Sequence, residues 1–516
     1  MPHIAKCLLI AHIILGTLAG PAQAAPLAPA NSITVNSLLD TAALGKCRLR
    51  DAIIAANTNS PVNGCPAGAP GMDTIGFSLF FCPISGCVVQ LASTLPLVTQ
   101  DLTISGRDIH ISGENQFPVF TLSSVVVNLS NLRVVKGKGT LGAGIIMDGT
   151  TLTLNNVRVS ENVADSGSGI YLPTGTLYAF NSSFVGNLAD DSGFGGAIGQ
   201  MGGAVVISGT TFSGNHAGAG GAIGTLGIST VDVTESVFDN NLGDFTAGAI
   251  FLQDDSVHAI IAGSTFTNNQ ALSAENGGGA IWLQLAALTL VSSTLANNIS
   301  NGRAGALEVF GGQLTVTNVT LSSNTAKDSG GALFVESFGP SHTATVTLNN
   351  VTISGNTADS DNNNTGDGGG IHVITSTANI RNSIIAGNFD SPGNSGAGTI
   401  QPDCTGTFIS PTNSLVGRNE GCAGFVDGSN GNRVGTSGSP LDPQLAPLAD
   451  NGGPTLTQAL LGDSPAIDGG NPSTPGSGGF ACAATDQRGL QRSFGSRCDM
   501  GAYERAFWLY LPFVLR

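Results

Sequence analysis

The 516-residue sequence is poor in charge and aromatic rings, and almost free of helical pattern. Charged residues make up 10% and aromatics 6%. The few charges are unbalanced, 35 acidic against 19 basic, for a net −16. That balance argues against a partner held through its phosphate backbone, such as nucleic acid. It names no substrate, because an acidic surface is commonly only solvating. No long stretch repeats its apolar residues at helical spacing, which excludes a helical array. No two cysteines stand at C-x-x-C spacing, so zinc lacks its usual ligand pairs.

Glycine, by contrast, is abundant at 73 residues, and one phrase recurs. Each unit carries an apolar residue three positions before Asn, as in Phe184-Val185-Gly186-Asn187 and Phe266-Thr267-Asn268-Asn269. A Gly-rich gap follows, then a small-small-aliphatic triplet such as Gly221-Ala222-Ile223, Gly279-Ala280-Ile281 or Gly331-Ala332-Leu333. The anchor asparagines are Asn162, Asn187, Asn215, Asn241, Asn269, Asn298, Asn324, Asn356 and Asn388, spaced 25 to 32 residues apart. A fixed period of this size marks a solenoid, propeller or array.

Between the markers apolar residues alternate, as in Thr151-Leu152-Thr153-Leu154, which is strand periodicity. A propeller blade needs about 40 residues, more than one unit supplies. The remaining solution is an all-β parallel β-helix with one coil per unit, its coils roughly 4.8 Å apart. Stacked asparagines then form amide ladders that satisfy buried turn backbone. The triplet glycine is expected to permit a tight corner at positive φ.

Residues 1–24 read as an export signal, with Lys6, the apolar run Cys7–Leu18 and Ala22-Gln23-Ala24 at the cleavage site. Export makes the other eight cysteines disulfide candidates. Pairing of sequence neighbours is expected: Cys47 with Cys65, Cys82 with Cys87, Cys404 with Cys422 and Cys482 with Cys498. All eight flank the repeats, where they would staple the ends.

The segment Cys47–Asn57 is the best helix candidate, with Leu49, Ala52, Ile53 and Ala56 on one face. It resembles the N-terminal domain named for a Cys-Ser-Leu-Arg-Glu-Ala-Ile signature, found in exported bacterial β-helix proteins. Cys47, Leu49, Arg50, Ala52 and Ile53 match, while Arg48 and Asp51 depart. The paired Phe-x-x-Asn and Gly-Gly-Ala-Ile elements resemble the repeats of polymorphic outer-membrane proteins, bacterial β-helix adhesins or passenger domains. Near the C-terminus come Leu441-Asp442-Pro443, Asp450-Asn451-Gly452-Gly453-Pro454, Ala466-Ile467-Asp468-Gly469, Asp486-Gln487-Arg488-Gly489 and Asp499-Met500-Gly501-Ala502-Tyr503-Glu504. Together they resemble the choice-of-anchor Q region, which precedes cell-surface attachment signals. Phe507–Leu515 is too short to span a bilayer as a helix and reads as a sorting tail or a last strand. No Leu-Pro-x-Thr-Gly is present for sortase attachment.

These resemblances imply a right-handed, pectin-lyase-like β-helix with a short capping helix and a disulfide-stapled C-terminal region. The expected organisation is a signal at 1–24, linker and cap at 25–76, and a β-helix at 77–400 with regular repeats at about 151–390. A choice-of-anchor Q-like region at 401–505 and an apolar tail at 506–516 follow.

Chemistry is thinly supplied. A polysaccharide lyase or glycoside hydrolase of this fold is the natural alternative. Glycoside cleavage needs two carboxylates converging on one groove. The candidates are Asp254, Asp255, Glu308 and Glu336, without the Gly-His-Gly or Arg-Ile-Lys signatures of polygalacturonases. In each strand after a triplet the residue following the aliphatic one should point outward. Phe251, Trp282, Glu308, Phe334 and His372 would then form one exterior stripe, a candidate platform for sugar rings; alternatively these side chains pack beneath long loops or stack across strands. The Asp359–Asp367 loop is a weak Ca²⁺ candidate that fits no complete ligand motif, and no other cofactor is expected. The expected protein is an exported, monomeric surface or secreted module, binding or structural. Its expected partners are polysaccharide or extracellular-matrix components, with cell-envelope association.

Overall fold

The computed structural model describes residues 31–41, 44–78, 86–391, 400–492 and 495–505. The expected export signal, the apolar tail and Cys82 lie outside the described residues.

The alternating segments form three parallel sheets of 12, 25 and 9 strands among the described residues. One coil shows the plan. Ile223–Thr225 joins the 12-stranded sheet, Ser229–Thr234 and Val237–Asp239 join the 25-stranded sheet on either side of a corner, and Leu242–Gly243 joins the 9-stranded sheet. The next coil repeats this in register, with Ile223 beside Ile250, Val231 beside Ala259, Phe238 beside Phe266 and Leu242 beside Gln270. The chain is an all-β parallel solenoid of about 12 coils.

In-register stacking makes the core a set of columns, like on like. Phe184, Phe212, Phe238 and Phe266 stack with nearly parallel rings, centroids 4.8, 4.7 and 4.5 Å apart. Leu295, Leu321, Ile353 and Ile385 continue the column. Each of the four phenylalanines is fully buried, which stabilises by roughly 1.5–3 kcal/mol per side chain.

The anchor asparagines form the ladder that their spacing suggests. Asn215 Nδ2 donates to Asn241 Oδ1 at 2.9 Å and to the Phe184 carbonyl at 3.0 Å. Its backbone N–H donates to the same Asn241 Oδ1 at 3.1 Å. The pattern repeats on every rung from Asn162 to Asn388. Each side chain therefore satisfies buried turn backbone as well as its neighbour.

The triplet glycines hold their place for a different reason from the one expected. Positive φ belongs in most coils to the residue before the triplet, such as Gly195 at 64° and Gly220 at 64°. At Gly221 itself an added Cβ would lie 2.4 Å from the Gly248 and Leu242 carbonyl oxygens. Close coil-to-coil approach, not corner geometry, demands glycine there.

At the N-terminal end the helix Leu49–Thr58 buries Leu49, Ala52, Ile53 and Ala56 in the same core. The two positions that depart from the Cys-Ser-Leu-Arg-Glu-Ala-Ile signature pair with each other. Arg48 grips Asp51 through two bonds of 2.5 and 2.8 Å. Disulfides Cys47–Cys65, Cys404–Cys422 and Cys482–Cys498 connect as expected, and Cys87 is also disulfide-bonded.

The segment 441–505 folds back along the flank of the 25-stranded sheet as a strap. Leu441 N–H donates to the Gly417 carbonyl, and Thr455 Oγ1 donates to the Ser292 carbonyl several coils away. Gln487 reaches into the sheet, donating to Thr294 Oγ1 at 2.9 Å and accepting from Thr320 Oγ1 at 2.7 Å.

Candidate functional site

The expected stripe exists as a register. Phe251 lies beside Trp282, Trp282 beside Glu308, Glu308 beside Phe334, and Phe334 beside His372. These side chains leave the main core, and Phe251 and Trp282 form a separate cluster with Ala247. Phe251 and Trp282 stack at 5.2 Å, and Phe334 and His372 meet edge-on at 5.3 Å.

The stripe is not an open platform. Exposures are 5% for Phe251, 7% for Trp282, 1% for Glu308, 1% for Phe334 and 9% for His372. Phe251 and Trp282 are packed against Ala219, Leu226, Ala247 and Phe310, and a loop covers the centre of the stripe. The segment between Ala271 and Ile281 crosses over the stripe, and Gly277 N–H donates to Glu308 Oε2 at 2.6 Å. Arg303 reaches back to the Glu275 carbonyl at 3.0 Å. Its guanidinium also lies 4.7 Å above the Phe334 ring and pairs with Glu336 at 2.5 Å. Outward side chains thus gain a second, smaller packed layer.

The electrostatics follow from that cover. Burial pushes the Glu308 carboxyl up to about 7, with the Gly277 N–H and Arg303 opposing. Burial lowers the His372 imidazole from its ordinary range. Trp282 Nε1 and His372 Nδ1 are buried without a hydrogen-bond partner among the described residues.

The candidate carboxylates are held in local tasks. Asp254, at φ 112°, accepts from Ser256 N–H at 3.0 Å and from its hydroxyl at 2.6 Å, which holds its carboxyl below the usual range. Asp255 is exposed in the same turn. Glu336 is engaged by Arg303, and Glu308 by the Gly277 amide. The arrangement fastens a loop over a hydrophobic stripe. In the Asp359–Asp367 segment, Asp359 accepts from the Asn363 and Asn364 N–H groups at 2.9 and 3.2 Å. Among the described residues no three His, Cys, Asp or Glu side chains are grouped to hold a metal ion.

The sequence reading missed Arg303. Its signal was faint: it is the lone cation among Lys and Arg between Arg158 and Lys327. No helix among the described residues is long and apolar enough to cross a membrane.

One coil, residues 263–284, matches the Chlamydia polymorphic membrane protein repeat. The match holds Phe266 of the aromatic column, Asn269 of the ladder, the covering loop and Trp282. No curated protein sequence matches the chain.

Proposed function

We propose that this chain is an exported surface protein that works as an adhesin-like binding solenoid. The observation that carries this reading is the 263–284 coil. It is similar to the repeat of a bacterial membrane-protein family and sits within an array of the same geometry. Disulfides at both ends of the array fit an oxidising, extracellular setting. In this reading residues 25–76 are a linker and a cap of the Cys-Ser-Leu-Arg-Glu-Ala-Ile type. The β-helix occupies 77–400, and 401–505 is a choice-of-anchor Q-like region that presents it at the envelope. The ligand class is polysaccharide or an extracellular-matrix component.

Antibodies to the folded solenoid, applied to intact producing cells with and without external protease, test the reading. Protease-sensitive surface labelling is expected, and protein confined to the cytosol would sink it. A panel of polysaccharides, scored for binding and for new reducing or unsaturated ends, separates the roles. Binding without product supports the adhesin-like role. Product formation supports a polysaccharide lyase or hydrolase instead.

A further inference from the structure

Each coil turns a corner inside the 25-stranded sheet on one residue in the left-handed region. In several coils that residue is asparagine: Asn131, Asn156 and Asn181 early in the array, Asn318, Asn350 and Asn382 later, with φ between 47° and 56°. The six corners lie along one column of stacked coils, here termed the groove, yet their surroundings differ. Asn318, Asn350 and Asn382 are 3%, 0% and 0% exposed, because the strap lies on them. Asn131, Asn156 and Asn181 are exposed.

The covered half shows what the groove binds. Asn318 Nδ2 donates to the Thr485 carbonyl at 2.8 Å, and Asn350 Oδ1 accepts from the Ala483 N–H at 2.8 Å. Asn382 Nδ2 donates to the Phe480 carbonyl at 3.0 Å, and its Oδ1 accepts from the Asn471 N–H at 2.9 Å. Each covered corner amide thus holds polypeptide backbone of the strap, alongside side-chain partners such as Arg492 on Asn318 Oδ1 and Asn349 Oδ1 on Asn382 Nδ2.

The open half adds charge. Between residues 51 and 302 the chain has only five Lys or Arg: Arg107, Arg133, Lys136, Lys138 and Arg158. Arg133 and Arg158 are direct neighbours in register, an arrangement of like charges that costs stability. Arg133 is paired with Asp108 at 2.7 and 2.9 Å. Arg158 has no carboxylate partner among the described residues, and its Nε donates to Ser160 Oγ at 3.3 Å. A cavity of about 510 Å³ lies here, lined by Arg107, Arg133, Arg158 and the three exposed asparagines. In a protein with a net charge of −16, three arginines thus stand beside the strap-free corners, where Asn156 Nδ2 donates to Asn131 Oδ1 at 2.8 Å and the remaining amide groups face solvent.

We propose that this open half of the groove binds an extended acidic segment of another protein, in the manner in which the covered half holds the strap. The corner amides take its backbone, and Arg107 and Arg158 take its Asp or Glu side chains, Arg133 being already paired with Asp108. The exposed corners from Asn131 to Asn181 span two coil steps of ~4.8 Å, which matches about three extended residues at ~3.3 Å each.

The test is fluorescence anisotropy on the purified protein at low salt. The probes are a peptide of about eight alternating Asp and Ser residues, its Asn and Ser counterpart, and an acidic galacturonate oligosaccharide. The acidic peptide should bind and weaken with added salt, and the neutral peptide should not bind. Arg158→Glu should weaken binding roughly tenfold or more, and Asn156→Ala several-fold, with thermal melting confirming that both variants fold. Unchanged affinity in Arg158→Glu would overturn the proposal. So would a loss in Arg158→Glu with none in Asn156→Ala, which is a charge patch without backbone reading. Capture of the oligosaccharide alone would equally overturn it, and would leave the surface role proposed above intact.

Discussion

Asn388 Nδ2 donates to Asp403 Oδ1 at 2.9 Å, so the ladder of nine amides ends on a carboxylate. Asp403 Oδ1 also accepts the Asn388 N–H at 3.1 Å, as each amide oxygen does for the rung before it. The difference lies on its other oxygen, which accepts the Arg418 N–H at 2.7 Å. An amide there would present NH₂ to an N–H group. Asp403→Asn should therefore destabilise the C-terminal coils by about 1–3 kcal/mol despite its matched shape, the cost of a buried donor left unpaired. Chemical denaturation reads the change, and an equal or higher stability for the variant would refute it.

An interior rung should matter more. Asn241 donates to the Phe212 carbonyl and to Asn269 Oδ1, and accepts from Asn215 N–H and Nδ2, all buried. Asn241→Ala strands several of those groups at once, so a loss of at least ~3 kcal/mol is expected. A loss under about 1 kcal/mol would mean that water enters the ladder freely.

Two glycines only seven residues apart should respond in opposite ways. Gly221→Ala drives a methyl into the Gly248 and Leu242 carbonyls, each 2.4 Å from the ideal Cβ position. The coils must separate, and at least ~2 kcal/mol is lost. Gly214, at φ 61°, has open space around it, and the matching positions on the next coils are Asn240 and Asn268 at 55°. Gly214→Asn should change stability by under about 1 kcal/mol, since Asn tolerates the left-handed region. Thermal melts of both variants check the pair.

The repeat explains why so much of this fold is legible in the sequence. When every coil buries the same position, the period is written once per coil. Ile223, Ile250 and Ile281 announce their stacking, as do Asn215, Asn241 and Asn269. The Cys404–Cys422 and Cys482–Cys498 bridges are local enough to follow from neighbour order. What the period does not carry is contact between elements far apart in the chain. The stripe's outward direction follows from alternation, but its cover depends on Gly277 meeting Glu308, 31 residues on. The strap's path depends on Gln487 meeting Thr294, 193 residues away, and no spacing rule contains that. The triplet glycines were misread for the same reason, since the atoms that crowd Gly221 are the carbonyl oxygens of Leu242 and Gly248, far along the chain.

Glu308 sets a pH dependence. Its carboxyl is pushed up to about 7 by burial, above its unfolded value. The stability linked to its neutral form is fully present below the unfolded value of about 4.5 and is lost as pH rises through 7. Glu308→Gln keeps an acceptor for Gly277 N–H and cannot ionise. Between pH 5 and 8 the wild type should lose roughly 2–3 kcal/mol relative to this variant. Parallel pH curves for the two proteins would show that Glu308 is ionised in the fold throughout.

The strap supplies the final test, through Arg492. Its side chain is fully buried and holds five partners on different segments. It donates to Asn318 Oδ1 at 2.9 Å on the solenoid, to the Thr485, Asp499 and Gly501 carbonyls at 3.2, 3.3 and 2.9 Å on the strap, and to Glu504 at 3.2 Å. A lysine keeps the charge but has one nitrogen, so it cannot fork across these acceptors. Arg492→Lys should therefore weaken strap docking by about 3 kcal/mol, the scale for a buried ionic partner left poorly paired. Solenoid coils have their own columns and ladders and touch mainly their neighbours, so they should hold. Hydrogen exchange should then show amides of 441–505 opening sooner, while the coils from Asn162 to Asn241 keep their protection. Faster exchange in both regions together would instead make strap and solenoid one cooperative unit, with Arg492 as a keystone of the whole fold.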